Sequence, residues 1–335
     1  MELTHAGEPT LIVAVEDGTQ VGQVRRVAKQ VAEQIGFDEA DAGRVALVAT
    51  ELAGNVLRHA QGGEIHVAIV PGHGAMGVSV TAVDRGRGFD MTTCLPDGYS
   101  TAGSRGEGLG AIRRQSQVMD AYADHRGSVV LARMYPRGVT HADIRFGVTQ
   151  QGLADEPACG DGWALAFAGD ATCVALVDGL GHGHAAHVAA AACVGAYVEA
   201  PDGDPVDLMG RLGTAMAPTR GGAVVLARHA GDALRYCGIG NISGSLHDRD
   251  GSRGLASHPG IVGTAARRVQ AFDFKATAGK VLLMHSDGLQ SRWSLRDYPG
   301  LVTRHPAVIA ALLYRDFNRG RDDVTVLAIT LEDRA

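Results

Sequence analysis

The chain has 335 residues, of which 45% are hydrophobic and 20% charged, with a net charge of −6. This length and balance predict two globular domains with ample core rather than a disordered chain. The acidic balance argues against bulk binding to nucleic acid or an anionic membrane. Five scattered cysteines with no C-x-x-C pair read as the reduced thiols of a cytosolic protein. The opening MELTHAGEPT is neither basic nor apolar, so no signal peptide is expected, and no apolar run reaches the roughly 18–20 residues of a membrane span.

In chain order, Leu11–Val15 predicts a strand. Val24, Val27, Ala28, Val31, Ala32 and Ile35 fall at helical spacing, and Gly36 ends that helix. A second helix runs from Asp38 or Asp41 to about His59. Glu64–Val70 and Met76–Val83 read as a hairpin turned at His73-Gly74. The second helix carries Glu51 and Asn55 on one face beside its apolar stripe, oxygen-bearing groups suited to Mg²⁺ and to orienting water. A surface Glu and a helix-end Asn would look the same. The next strand ends on Asp84, followed by Gly86 and Gly88. A buried carboxylate there can accept from an exocyclic amine such as that of adenine, with the glycines lying flat against a base. Gly106, Gly108 and Gly110 lead into a helix over Ala111–Met119, where backbone N–H groups and the helix dipole favour phosphate. Ala121–His125 and Ser128–Tyr135 close the sheet, and a domain boundary falls at Tyr135–Gly138.

The order Glu-x-x-x-Asn, Asp-x-Gly-x-Gly, Gly-x-Gly-x-Gly resembles the GHKL ATPases of the Bergerat fold. More narrowly it is similar to the small serine kinases and anti-sigma factors of bacterial partner switching. ELAGNVLRHA (Glu51–Ala60), DRGRGFD (Asp84–Asp90) and SRGEGLGAIRR (Ser104–Arg114) carry the likeness. It implies Mg²⁺-ATP as cofactor. Glu51 would be general base or water-orienting residue, Asn55 a Mg²⁺ ligand, and Asp84 the adenine partner. Gly86 and Gly88 would lie beside the base, and Gly106, Gly108 and Gly110 at the phosphates.

The second half predicts strands at His141–Val148, Trp163–Phe167, Ala223–Arg228, Leu234–Ile239, Val269–Phe274, Lys280–Met284 and Val324–Leu331. Helices are expected at Ala185–Ala200, Pro205–Met216 and Pro306–Phe317. VALVDGLGHG (Val174–Gly183) is a buried strand ending on Asp178, with glycines that let backbone carbonyls approach a cation. An Asp that caps the following helix would give the same pattern. Asp161, Asp287 and Asp322 also sit at strand ends. Four such carboxylates repel unless protonated or neutralised, and a pair of divalent cations resolves that. His182 and His184 read as turn histidines ahead of ligands or acid catalysts, while Arg113 and Arg114 fit a solvated helix face and the neutralisation of ATP phosphate equally well.

GDGWAL, VDGLGHG, GIGNISG, HSDGL and RDDVTVLAI resemble, in that order, the metal-dependent Ser/Thr phosphatases (PPM), specifically their SpoIIE-like branch. The resemblance implies two Mn²⁺ or Mg²⁺ ions bridged by Asp178. Gly179 would ligate through its carbonyl, Asp161 would serve one metal, and Asp287 with Asp322 or the adjacent Asp323 the other.

The expected fold is mixed α/β: a GHKL α/β sandwich over 1–136, then a PPM α-β-β-α sandwich over 139–335. The expected function is a cytoplasmic partner-switching regulator, with a serine kinase and an opposed phosphatase acting on a STAS-type anti-sigma-antagonist. The alternative is a phosphatase whose ATPase-like domain only senses ATP or holds a partner such as a sigma factor.

Overall fold

A computed structural model describes residues 3–89, 108–139, 142–154, 156–264 and 269–333. It is a mixed α/β protein with three antiparallel sheets. The chain divides into two compact units, one made of residues 10–145 and 307–315, the other of residues 1–9, 146–306 and 316–335.

In the first unit, β2 (Leu11–Val15), β3 (Gly63–Pro71), β4 (Met76–Asp84), β5 (Val118–Asp124) and β6 (Gly127–Met134) form one sheet in the order β2-β3-β4-β6-β5. Helix α1 (Gly18–Gln34) opens on a capping box, in which Asp17 accepts from the first turn and Gln20 reaches back. Its three-and-four spacing buries Val24, Ala28, Val31 and Ala32. Helix α2 (Glu39–Ala60) starts from Asp38, whose side chain accepts from Asp41 N–H at 2.7 Å. It lays Val45, Val48, Ala49, Leu52 and Val56 on Ile65, Val67, Val78, Val80 and Ala82 of the sheet. On the opposite face His66 meets the Tyr314 ring edge-on, with centroids 5.3 Å apart.

Helix α3 (Gly108–Gln115) is shorter than the periodicity predicts. Val118 and Met119 already pair with Arg133 and Ala132 of β6, so sheet pairing overrides the helical pattern there.

In the second unit, β1 (Leu3–Ala6), β8 (Asp161–Ala168), β9 (Ala171–Gly179), β10 (Gly222–Ala230), β11 (Ala233–Ile239) and β14 (Ala271–Lys275) form a six-stranded sheet in the order β1-β8-β9-β10-β11-β14. β13 (Ser252–Leu255), β12 (Ser243–His247), β15 (Val281–His285), β16 (Val324–Thr330) and β7 (Phe146–Gln151) form a five-stranded sheet in that order. Helices α4 (His184–Val198) and α5 (Pro205–Met216) cover the six-stranded sheet, packing Ala189, Ala190, Cys193, Leu208 and Leu212 on Ala164, Ala175, Val177, Val224 and Leu226. The rings of Phe146 and Trp163, one from each sheet, lie 5.9 Å apart. Among the described residues Cys159, Cys173, Cys193 and Cys237 are free and buried.

β7 begins at Phe146, later than the His141 start the sequence suggests. β1, β12 and β13 carry no alternation long enough to read. Helix α6 (Pro306–Phe317) forms where its apolar side predicts, and its residues 307–315 count with the first unit. No described helix is long and apolar enough to cross a membrane.

Candidate functional site

Asp161 and Asp178 are direct cross-strand partners at the open end of the β8–β9 hairpin, away from its turn. Partners across an antiparallel pair point to the same face, so the pairing brings two carboxylates together. Burial pushes the Asp161 carboxyl well above the usual carboxylate range. Burial does the same to Asp178, and the charges of Asp161, Asp287, Asp322 and Asp323 push it further. Burial raises Asp322 as well, with Asp287 and Asp323 adding to the effect. The four strand-end aspartates named by the sequence therefore lie within electrostatic reach of one another.

Each is held differently. Asp161 is 4% exposed; its Oδ2 accepts the Ser286 hydroxyl at 2.7 Å, while its buried Oδ1 has no hydrogen-bond partner. The Thr325 hydroxyl stands near enough to favour the ionised carboxylate, yet makes no close bond to it. Ser286 Oγ accepts the Thr325 N–H at 2.9 Å, and the Asp161 carbonyl accepts from Gln150 at 2.7 Å. Asp287 Oδ2 accepts from Asn241 at 2.6 Å, and Asp322 Oδ1 from the Asp323 N–H at 2.9 Å. Asp323 uses both oxygens on backbone, taking Leu153 N–H at 2.8 Å and Gly160 N–H at 2.9 Å.

Gly179 donates its N–H to the Gly160 carbonyl at 3.0 Å, and a Cβ there would lie 2.2 Å from the Ala186 carbonyl. Only glycine lets the chain leave β9 along this path. His182 pairs with Glu156 at 2.7 Å on the exposed turn before α4.

Among the described residues no group of three or more His, Cys, Asp and Glu is drawn tightly enough to enclose an ion. The donor set is nevertheless the right kind for Mg²⁺ or Mn²⁺, which take carboxylate oxygens and keep several waters. The orphaned Asp161 Oδ1 is the atom that most needs a cation.

In the first unit, Asp84 ends β4 with 8% exposure. Its Oδ1 accepts Gly86 N–H at 2.8 Å and Ser128 N–H at 3.2 Å, and its Oδ2 accepts the Ser128 hydroxyl. A carboxylate offers about four acceptor sites, so one remains on Oδ2 for an incoming amine. Gly88 has φ +67°, and a Cβ there would meet the Asp124 carbonyl at 2.2 Å. Glu51 and Asn55 stand half-buried on α2, and Asn55 Oδ1 accepts from Arg58 at 2.8 Å. Gly108 and Gly110 lie in the first turn of α3, while Gly106 lies outside the described residues.

Residues 15–134 match the family of histidine kinase-like ATPase domains, and residues 168–332 match the stage II sporulation protein E (SpoIIE) family. Over 100 residues the chain is 33% identical to the serine/threonine-protein kinase RsbT of Bacillus subtilis (strain 168), which covers 30% of this chain and 73% of RsbT. By its likeness to RsbT the chain belongs to the first of these families, and the unit that carries the second match is called the SpoIIE-family unit for that match. In its SpoIIE-family unit the fold is that of PP2C-type Ser/Thr phosphatases. A solved structure of the PP2C phosphatase domain and a regulatory-domain fragment of SpoIIE from Bacillus subtilis matches at TM-score 0.51 and 17% identity, covering 95% of this chain and 94% of that one. A structure from work on the bacterial stressosome matches at TM-score 0.52 and 22% identity, covering 56% of this chain and 98% of that one.

Four residues of the two sites have no role in the sequence reading: Ser286, Asn241, Gln150 and Ser128. Ser286 and Asn241 do stand inside the SpoIIE-like motifs HSDGL and GIGNISG, which is the one signal that could have found them. Gln150 and Ser128 lie in ordinary strand sequence.

Proposed function

We propose that the SpoIIE-family unit is a metal-dependent protein Ser/Thr phosphatase. We further propose that the ATPase-like unit binds Mg²⁺-ATP and phosphorylates a Ser or Thr of a STAS-type partner in the same cytoplasmic switching system. The observation that carries the phosphatase reading is the pairing of buried Asp161 with half-buried Asp178, with an unpartnered Asp161 oxygen and Asp287 and Asp322 in electrostatic reach.

Asp178 would bridge two Mn²⁺ or Mg²⁺ ions, with Asp161 and the Gly179 carbonyl on one side and Asp287 and Asp322 on the other. Ions held there would supply a water of lowered pKa and would neutralise phosphate charge. The protein's part is to keep the carboxylates close, where bound cations or protons relieve their repulsion. In the ATPase-like unit, Asp84 would receive the adenine amine at its remaining acceptor site. Glu51 would orient or deprotonate the partner's hydroxyl, Asn55 would bind Mg²⁺, and the glycines from Gly106 to Gly110 would lie at the phosphates.

Asp178→Asn removes one negative charge from the centre of the cluster. We expect it to abolish turnover of a phosphoserine protein, by about 10³-fold or more if the metal site is lost, while ATP affinity stays at the wild-type value. An Asp178→Asn protein with wild-type turnover would refute the assignment. For the ATPase-like unit, γ-labelled ATP is incubated with a candidate STAS protein, and transfer of label is expected.

A second reading keeps the ATPase-like unit as a non-catalytic module that senses ATP or holds a partner such as a sigma factor. Asn55 favours it, since its side-chain oxygen already accepts from Arg58. ATP binding without label transfer would select this reading.

A further inference from the structure

We propose that Ser286 and Asp323 are positioning residues that aim one oxygen of Asp161 at the metal site. The inference rests on the phosphatase reading above and assigns roles within that site.

A serine hydroxyl has one proton and accepts through its lone pairs. In Ser286 the Thr325 N–H occupies an acceptor position at 2.9 Å, and the proton is directed to Asp161 Oδ2 at 2.7 Å. Ser286 is fully buried, so no water competes for either bond. With Oδ2 tied down and the Asp161 carbonyl held by Gln150 at 2.7 Å, the carboxylate cannot turn, and Oδ1 is left buried and unpartnered. One oxygen of Asp161 is therefore presented to a cation.

The bond also links the two sheets. Asp161 begins β8 of the six-stranded sheet, whereas Ser286 follows β15 of the five-stranded sheet and directly precedes Asp287. A single hydroxyl thus fixes Asp161 relative to another carboxylate of the cluster.

Asp323 acts on the same residue from the chain side. Its two oxygens take the N–H groups of Leu153 and Gly160, at 2.8 and 2.9 Å, and Gly160 is the residue before Asp161. This clasp joins the end of β7 to the start of β8. Asp323 is 4% exposed and fully engaged, whereas among the described residues Asp322 is engaged only through Oδ1 with the Asp323 N–H at 2.9 Å. The pair divides the work: Asp322 keeps a free oxygen, and Asp323 shapes the approach to Asp161.

The test is Mn²⁺ titration of the full chain by calorimetry, with melting curves in EDTA and in Mn²⁺. Residues behind a metal ligand typically change metal affinity by 10–100-fold. Ser286→Ala and Asp323→Asn are each expected to weaken Mn²⁺ binding by about that factor, and to shrink the rise in Tm that Mn²⁺ produces. ATP affinity stays at the wild-type value. Asp322→Asn is expected to lose one of the two Mn²⁺ sites outright. A merely structural role would lower Tm equally in EDTA and in Mn²⁺ and leave Mn²⁺ affinity within about twofold of wild type, a change too small for a lost ligand contact. That result overturns the proposal, as does loss of a site in Asp323→Asn with full binding in Asp322→Asn. If Ser286→Ala does not fold, Ser286→Cys keeps the volume while replacing a strong donor with a weak one, and the same loss of affinity is expected. A wild-type chain that binds no Mn²⁺ would instead overturn the phosphatase reading itself.

Discussion

At Gly88 the backbone φ is +67°, and a Cβ would sit 2.2 Å from the Asp124 carbonyl oxygen. Two separate penalties fall on any other residue. The left-handed conformation costs about 1–2 kcal/mol for a residue with a side chain, and the clash is with backbone, which cannot swing away. Gly88→Ala should therefore push the turn after Asp84 away from the β5–β6 hairpin. Nucleotide affinity is expected to fall by about tenfold, equivalent to 1.4 kcal/mol, in a fluorescent-ATP titration. Phosphatase turnover should be unchanged. Wild-type nucleotide affinity would show that the turn does not shape the nucleotide site. Gly88 was legible in the sequence because glycine after a strand-end Asp announces a sharp turn. A related cue, an Asp where an apolar strand pattern ends or begins, singled out Asp84, Asp161, Asp178, Asp287 and Asp322. Ser286 and Ser128 were not legible. A serine's role depends on which acceptor the fold brings to it, and here the acceptors are 125 and 44 positions away in sequence.

Helix α2 illustrates the same limit for a whole element. Its apolar spacing and a start at Asp38 or Asp41 were readable, because helix period and capping are local properties, and the structure selects Asp38 as the cap. Its buried charges were not. Arg44 and Asp41 pair at 2.9 Å with side chains 7% and 6% exposed. Arg44 also donates to the Gln115 carbonyl at 3.1 Å and to Gln117 at 3.0 Å, tying α2 to the junction between α3 and β5. A sequence reader sees an Arg on a helix, and solvent is its usual neighbour. Removing one partner of a buried pair typically costs about 3–5 kcal/mol, because the other charge is left uncompensated. Arg137 also reaches Asp41, at 3.4 Å, so the lower end of that range applies to Arg44→Met. Denaturant unfolding should show a loss of about 3 kcal/mol. Adding Asp41→Asn to Arg44→Met should recover part of it, as a double-mutant cycle of coupled sites requires. Additive losses would mean that the two side chains do not act as a pair.

For the molecule as a whole, the order of the motifs was enough to place two families in tandem, because each motif set is contiguous. The chain path was not readable from that order. Residues 1–9 precede the ATPase-like segment but belong to the SpoIIE-family unit, while residues 307–315 lie late in the chain and belong to the ATPase-like unit. The reason lies in contacts that composition does not announce. β1 reads LTHA, too short and too polar to predict as a strand, yet Leu3–Ala6 pairs with Phe167–Ala164 along the β8 edge. Gly7 follows, donating to the Trp163 carbonyl at 2.9 Å and lying so close to the indole that a Cβ would overlap it. His5 packs at a tilt against the same ring, with centroids 5.4 Å apart. β1 is thus the cover of an edge strand that begins at Asp161. A chain starting at Thr10 would expose that edge and much of Trp163. Exposing one large apolar side chain costs about 2 kcal/mol, and about 2–4 °C of Tm per kcal/mol is usual for a unit of this size. The SpoIIE-family unit is therefore expected to melt roughly 4–8 °C lower in the shortened chain, with weaker Mn²⁺ binding because Asp161 opens the uncovered strand. ATP affinity should stay unchanged, since no residue of 1–9 belongs to that unit. Equal melting temperatures with and without residues 1–9 would show that β1 covers the edge without stabilising it.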